Sequence, residues 1–196
     1  MDNSPYFTVI LNTYKRANLL IGAVQSVLAQ SCTDYELIIV DDASNDDTEQ
    51  TVTQLLDNAA KQSDAPIASY LQLPTNVGIN AARNVAIEQA RGEVVVFLDD
   101  DDRFTPDFLD HIKRAMQAAP NSAAFAVSGR RLLRPAETGD VLLSEIDYGY
   151  KATVLRPKEV YLQNPIGGAS GMVVRRAAAR AVGGFPAGFV SGGGMG

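Results

Sequence analysis

The sequence predicts an α/β fold: a mostly parallel sheet flanked by helices on both faces. Three observations point there. Strand and helix signals alternate through the first hundred residues. The strand segments are near-continuous runs of Val, Ile, Leu and Phe, as in strands buried on both faces rather than one. Acidic and polar residues gather directly after several of these runs, at the carboxyl ends of strands, where such sheets bind ligands.

The first strand is FTVILN, Phe7 to Asn12. Leu20, Ala23, Val24, Val27 and Leu28 then recur at the spacing of one helix face. YELIIV, Tyr35 to Val40, is the second strand. A second helix carries Val52, Leu55, Leu56 and Ala59, and Ser44 with Asp47 three residues on suggests a loose capping box at its start. IASYLQL, Ile67 to Leu73, is a shorter strand, followed by a helix from about Asn80 to Arg91 that Gly92 stops. EVVVFL, Glu93 to Leu98, is the most hydrophobic strand. Pro106 opens a further helix with Phe108, Leu109, Ile112 and Met116 on one side. Beyond it the signals weaken. Ala123 to Arg130 and Met172 to Arg175 read as strands, Arg176 to Val182 as a short helix, Pro135 to Gln163 as irregular structure with short strands, and the glycine-rich end from Gly183 as a loop.

Composition narrows the function. The hydrophobic fraction of 46% and the charged fraction of 20% are those of a globular protein, and no apolar run is long enough to cross a bilayer. A net charge of −6 argues against a nucleic-acid groove. The charge is uneven: residues 1–100 hold 5 Lys and Arg against 14 Asp and Glu, whereas residues 101–196 hold 12 against 9. Solubility alone accounts for some acidity, but a bound cation is a sharper reason to collect carboxylates. The lone cysteine, Cys32, has no basic neighbour in sequence and reads as packing or surface rather than a nucleophile. The lone histidine, His111, lies in an amphipathic helix and reads as a surface residue, which disfavours Ser-His or Cys-His chemistry. The start, MDNSPYFTVI, lacks a basic segment followed by an apolar one, so no secretory signal is expected, and with a single cysteine a cytoplasmic setting is expected.

VVVFLDDDDRFTPD is the feature richest in chemistry, because a buried strand delivers Asp99, Asp100, Asp101 and Asp102 in succession. Residues two apart on an extended chain point the same way, roughly 6.6–7 Å apart. Asp99 and Asp101 would then share one ion while Asp100 and Asp102 face elsewhere. Two carboxylates at 4 Å repel by about 4 kcal/mol at an effective dielectric near 20, and a divalent cation such as Mg²⁺ or Mn²⁺ removes that repulsion. The plainer reading is a solvated acidic loop. In IIVDDASNDDT, Asp42 can accept hydrogen bonds from a base or a ribose, whereas Ser44, Asp46 and Asp47 read as helix-entry residues. In NVGINAARN, Arg83 near a helix N-terminus suits a diphosphate, against the plainer reading of a surface arginine.

The order NTYKR, IIVDDASNDDT, NVGINAARN and GEVVVFLDDDDRFTPDFL, over about residues 6 to 118, resembles the family-2 glycosyltransferases. Each motif is weak singly, and four in this order and spacing are specific. The resemblance implies the GT-A (Rossmann-like) fold as a single domain over 1–196, with 1–118 the nucleotide-sugar-binding half and 119–196 the start of the acceptor-side half. It implies inverting transfer from a nucleoside-diphosphate sugar, UDP-sugar favoured, to a hydroxyl of a carbohydrate or lipid-linked sugar, with Mn²⁺ or Mg²⁺ as cofactor. It also admits peripheral attachment to the inner face of the plasma membrane, a role in polysaccharide synthesis, and no nucleic-acid partner. By position, Asn12, Tyr14, Arg16, Asp42, Arg83, Asp99 and Asp100 fall on the nucleotide, and Asp101, with Asp99 and Asp102, on the metal. GGASGMVVRR and VGGFP resemble the strand and loop flanking the donor sugar.

The sequence departs from the family pattern in one respect. An acidic motif normally follows the GGF segment by roughly ten residues and supplies the catalytic base, yet no carboxylate follows Glu159. The expectation is a piece of a longer enzyme with weak transfer, or an inactive nucleotide-sugar-binding or scaffold domain. Two other enzyme classes fit less well. A sugar-phosphate nucleotidyltransferase needs a glycine-rich loop after the first strand, where NTYKR stands, and a P-loop enzyme needs G-x-x-x-x-G-K-[ST], which is missing.

Overall fold

The computed structural model describes residues 4–62, 65–120, 124–134, 141–146 and 168–186. The end from residue 187 and most of the segment read as irregular, Pro135 to Gln163, lie outside them. The element order is β1 (Phe7–Thr13), α1 (Ala17–Leu28), β2 (Tyr35–Asp41), α2 (Thr48–Ala59), β3 (Ile67–Gln72), α3 (Ile79–Gln89), β4 (Val94–Asp99), α4 (Phe108–Ala118), β5 (Phe125–Val127), β6 (Arg130–Arg134), β7 (Val141–Ile146), β8 (Met172–Arg175) and α5 (Arg176–Ala181).

Six strands form one sheet in the order β3-β2-β1-β4-β8-β5. The first four run parallel, and β8 enters antiparallel to both β4 and β5. This is the mostly parallel sheet that the alternation predicts. β1 and β2 are buried at every position, because helices cover both faces. Side chains alternate across the sheet. Phe7, Val9 and Leu11 of β1 meet the helices α1, α2 and α4 in one core, around Leu20, Val24, Val52, Leu109 and Ile112. Ile10, Ile38 and Phe97 meet α3 and α5 in the other, around Ala82, Ala86, Ile87 and Ala179. Cys32 is buried in the first core, as packing.

Three sequence expectations change. The run Ala123 to Arg130 is not one strand: Phe125–Val127 joins the sheet, and Arg130 begins β6, which pairs with β7 in a separate two-stranded ribbon. Ser44 and Asp47 form no capping box. Ser44 Oγ instead accepts the Lys15 N–H at 2.7 Å, and α2 starts where Asp46 accepts the Thr48 N–H and O–H. The helix opened by Pro106 begins two residues later, at Phe108.

At the amino end of the sheet, Gly92 packs directly on β1. A Cβ there would lie 2.4 Å from the Thr8 nitrogen and 2.5 Å from the Phe7 carbonyl carbon. The Gly92 N–H donates to Thr8 Oγ1 at 2.9 Å, so the turn into β4 admits only glycine without displacement.

Candidate donor and metal site

Register sets the site. Asn12, near the carboxyl end of β1, pairs with Val40 on one side and Asp99 on the other, and Thr13 pairs with Asp41. The ends of β1, β2 and β4 are therefore level, and the residues that follow them crowd one rim. Among the described residues only Lys15 and Ala43 are non-glycine positions with positive φ, at 55° and 66°. They lie just past β1 and β2, in the two loops that the Lys15–Ser44 hydrogen bond ties together. Strain of this kind gathers where a loop must hold a functional shape.

Parity divides the rim into two groups. On the α3 face, Arg83 forms an ion pair with Asp99 and lies 5.3 Å from the Phe185 ring centroid. Its side chain is 8% exposed, so the surface-arginine reading is wrong and a built position replaces it. Asp42, equally buried, accepts the Val77 and Gly78 N–H groups at 2.7 and 2.8 Å, one on each carboxylate oxygen. That bond pair shapes the turn into α3 and leaves each oxygen a second lone pair for a ligand. Asn12 is 6% exposed, and its Nδ2 has no hydrogen-bond partner among the described residues. A buried donor of this kind costs about 1–3 kcal/mol unless something satisfies it.

On the other face, Asp100 accepts the Thr13 O–H at 2.9 Å and Arg16 Nη1 at 3.2 Å. The same nitrogen reaches Asp101 Oδ2 at 3.3 Å. Burial pushes the Asp100 carboxyl above the usual range, and the bonds from Thr13 and Arg16 only partly offset this. The pairing of Asp99 with Asp101 on one side, expected from strand spacing, is thus overturned. β4 ends at Asp99 and the chain turns, with the Asp102 N–H donating to the Asp99 carbonyl at 3.1 Å. Asp100 and Asp101 converge on Arg16, while Asp99 joins Arg83. Tyr14 stands 41% exposed beyond β1, its ring 5.1 Å from Lys15 Nζ. An open cleft of about 350 Å³ adjoins, with Lys15, Arg16, Asp46 and Asp47 in its lining.

The implied divalent ion fits this rim in one way. No three His, Cys, Asp or Glu side chains among the described residues are grouped to cage an ion. Asp101 is half exposed at the edge, which suits Mg²⁺ or Mn²⁺ held by one or two carboxylates, waters and the phosphates of a ligand.

Several supporting contacts lie outside the motifs at the strand ends, two of them in the GGASGMVVRR and VGGFP segments. Ser170 Oγ accepts the Asp99 N–H at 2.9 Å, so the GGASG segment braces the acidic turn from β8. Asn84 exchanges two hydrogen bonds with the Phe185 backbone, each 2.8 Å, holding VGGFP on α3. Asp41 accepts the Ser44 N–H, the Tyr70 O–H and the Gln72 amide, so it is a loop anchor, and burial with that bond drives the Tyr70 phenol upward. Thr13, one residue past Asn12, had only its position at a strand end to mark it. His111 is the expected surface residue, its Nδ1 2.8 Å from the Asp107 carbonyl.

Comparison with known proteins gives the family and the fold. Residues 8–183 match the family model described as Glycosyl transferase family 2. The chain is 39% identical over 98 residues to the GalNAc(5)-diNAcBac-PP-undecaprenol beta-1,3-glucosyltransferase of Campylobacter jejuni, covering 50% of this chain and 30% of that protein. Among solved structures, Staphylococcus aureus TarS 1-349 in complex with UDP superposes with a TM-score of 0.66 at 24% identity, over 90% of this chain and 48% of that one. The mannosyltransferase PcManGT of Pyrobaculum calidifontis, in complex with GDP-Man and Mn²⁺, superposes with a TM-score of 0.66 at 21% identity, over 94% and 48%. These likenesses establish the GT-A fold. The chain spans less than half the length of each of these proteins.

Proposed function

The chain belongs to glycosyl transferase family 2, and from that membership we propose that it binds a nucleoside-diphosphate sugar at the rim of β1, β2 and β4 and serves sugar transfer to a hydroxyl acceptor with inversion. One observation carries the reading: Asn12, Asp42, Arg83 and Asp99 to Asp101, far apart in sequence, converge at the carboxyl ends of adjacent parallel strands, where open α/β sheets bind ligands.

Each residue has a task that its surroundings suit. Tyr14 offers an exposed ring on which a base can stack. Asn12 Nδ2, which has no partner among the described residues, can donate to a base carbonyl, and the remaining lone pairs of Asp42 can accept a ring N–H such as that of uracil. Arg83 and Arg16 hold cationic groups beside Asp99 and Asp101, and a diphosphate presents the bidentate oxygens that guanidinium prefers. Asp101, half exposed at the edge, would hold the divalent ion together with waters and the donor's phosphates, and the ion when bound would stabilise negative charge on the departing diphosphate. In transfer by the whole enzyme the acceptor oxygen would bond to the anomeric carbon from the face opposite the breaking bond to the diphosphate, and its proton would pass to a carboxylate base that none of these residues supplies.

A UDP-sugar is the favoured donor. Support comes from the acid at Asp42 and from TarS, solved with UDP, although PcManGT, solved with GDP-Man, shows that the same fold takes guanine donors. The undecaprenol-linked acceptor named for the Campylobacter relative favours a lipid-linked or polysaccharide acceptor here. No helix among the described residues is long and apolar enough to cross a membrane. Peripheral contact with a membrane at its inner face remains part of the proposal. A thermal-shift panel of UDP, GDP and dTDP, each with and without Mn²⁺, tests the site. Stabilisation by one nucleotide, larger with Mn²⁺, is expected; no shift with any of them contradicts the reading. A coupled assay of donor hydrolysis on the same samples separates an active enzyme from a binding domain.

A further inference from the structure

We infer that Arg16 is the resident counter-ion of the acidic turn and couples metal binding to donor binding, releasing Asp101 when a diphosphate takes its guanidinium. This rests on the donor-and-metal reading above and adds to it an order among the ligands. A single nitrogen, Nη1, spans both carboxylates, 3.2 Å from Asp100 and 3.3 Å from Asp101. The two ends of that bridge differ. Asp100 has a side chain 7% exposed, and its second oxygen accepts the Thr13 O–H, so it stays in place whatever Arg16 does. Asp101 is 52% exposed and stands at the edge, so it is the carboxylate that departure of Arg16 frees.

Arg16 itself has a fixed root and a movable head. Its carbonyl accepts the Leu19 and Leu20 N–H groups at the start of α1, while its side chain is 53% exposed. The first turn of α1 carries no acidic residue, and Lys15 lies alongside. A diphosphate arriving at this rim therefore meets an exposed guanidinium held by one nitrogen at 3.2 and 3.3 Å and can displace the carboxylates with a bidentate contact. Without the donor, an ion must displace Arg16 from Asp101. With it, Asp101 is already free and the phosphates add their own oxygens. Linkage makes the effect reciprocal, so the ion also tightens the donor.

The experiment measures Mn²⁺ binding by electron paramagnetic resonance of the free ion, in the wild-type chain and in Arg16→Gln, first alone and then with UDP and with GDP. Thermal melting confirms that each variant folds. In R16Q, Mn²⁺ alone is expected to bind about tenfold tighter than in wild type, and the further gain from the nucleotide is expected to shrink, within the roughly 5–150-fold range usual for coupled sites. Metal-alone affinity equal to or weaker than wild type, with the wild type still taking Mn²⁺ and nucleotide together, overturns the role of Arg16 and leaves the donor site standing. A wild-type chain that takes Mn²⁺ with neither nucleotide overturns the donor-and-metal reading and this inference with it. Should R16Q not fold, Arg16→Lys replaces it, since an ammonium is a compact point charge without the guanidinium fork. Metal-alone affinity above wild type is then expected, and an unchanged one overturns the inference.

Discussion

The two ends of the parallel sheet use the same chemistry to opposite purpose. At the amino end, Glu36 of β2 is 4% exposed and completely engaged. It accepts the Thr8 O–H at 2.6 Å, the Arg91 N–H at 2.7 Å and the Arg91 guanidinium at 2.7 Å. Burial alone would raise this carboxyl, yet those bonds together hold it below the usual range. At the carboxyl end, burial wins at Asp100, Asp101 stands half open, and the Asn12 amide has no partner among the described residues. One end is a finished network that ties β1, β2 and β4 together; the other keeps bonds in reserve for something that arrives. A structural carboxylate is recognised by saturated oxygens, and a functional one by what its surroundings leave undone.

Breaking the open end should cost most in function. Asp101→Asn removes the carboxylate proposed to hold the ion, and transfer by the whole enzyme that contains this chain is expected to fall about 10²–10³-fold, the scale of losing one group that stabilises transition-state charge. The melting temperature should stay near wild type, because Asp101 is exposed; steady-state kinetics beside a melting curve checks both. Breaking the finished end should show the reverse. Glu36→Gln leaves the Arg91 guanidinium without its charge partner and should cost about 2 kcal/mol, as for hydrogen bonds to charged groups, while the affinity for UDP and Mn²⁺ is unchanged. The sign with pH follows from the depressed carboxyl. Its contribution is complete above the ordinary value of 4.5 and is lost as pH falls through the lower folded value. Urea denaturation from neutral to acid pH should therefore show wild type and E36Q apart at neutrality and converging in acid. The smallest effect belongs to the brace between the two halves of the chain. Ser170→Ala leaves the Asp99 N–H without its acceptor and should cost about 1 kcal/mol, with a few-fold weaker donor affinity in a calorimetric titration.

What could be read in the sequence follows the same division. The strands β1, β2 and β4 were legible because burial on both faces writes a continuous apolar run, and α1 and α4 because their buried residues repeat at helical spacing. The candidate site was legible where a residue stands at or near the end of such a strand or directly follows it, as Asn12 and Asp99 do in β1 and β4 and Asp42 does just past β2. Strand parity failed one residue later, because β4 ends at Asp99 and the turn sends Asp100 and Asp101 to Arg16. The capping box failed because Ser44 is taken by a loop neighbour 29 positions away, a contact that no local pattern carries. Ser170 and Phe185 were marked only by the resemblance of GGASGMVVRR and VGGFP, and the residues they bond lie 71 or more positions earlier, which no local pattern carries. The β5–β6 division was missed because a three-residue strand leaves too short a pattern to show where pairing changes.

On the proposed function, the rim of β1, β2 and β4 takes a nucleoside diphosphate and a divalent ion together. Isothermal titration of UDP and of GDP into the chain, once with Mn²⁺ and once with a chelator, tests it most directly. The expected result is saturable binding of one nucleotide at one site, weakened about tenfold or more when the ion is removed, within the usual range of coupled ligands. Equal affinity with and without the ion, or no binding of either nucleotide, would contradict it.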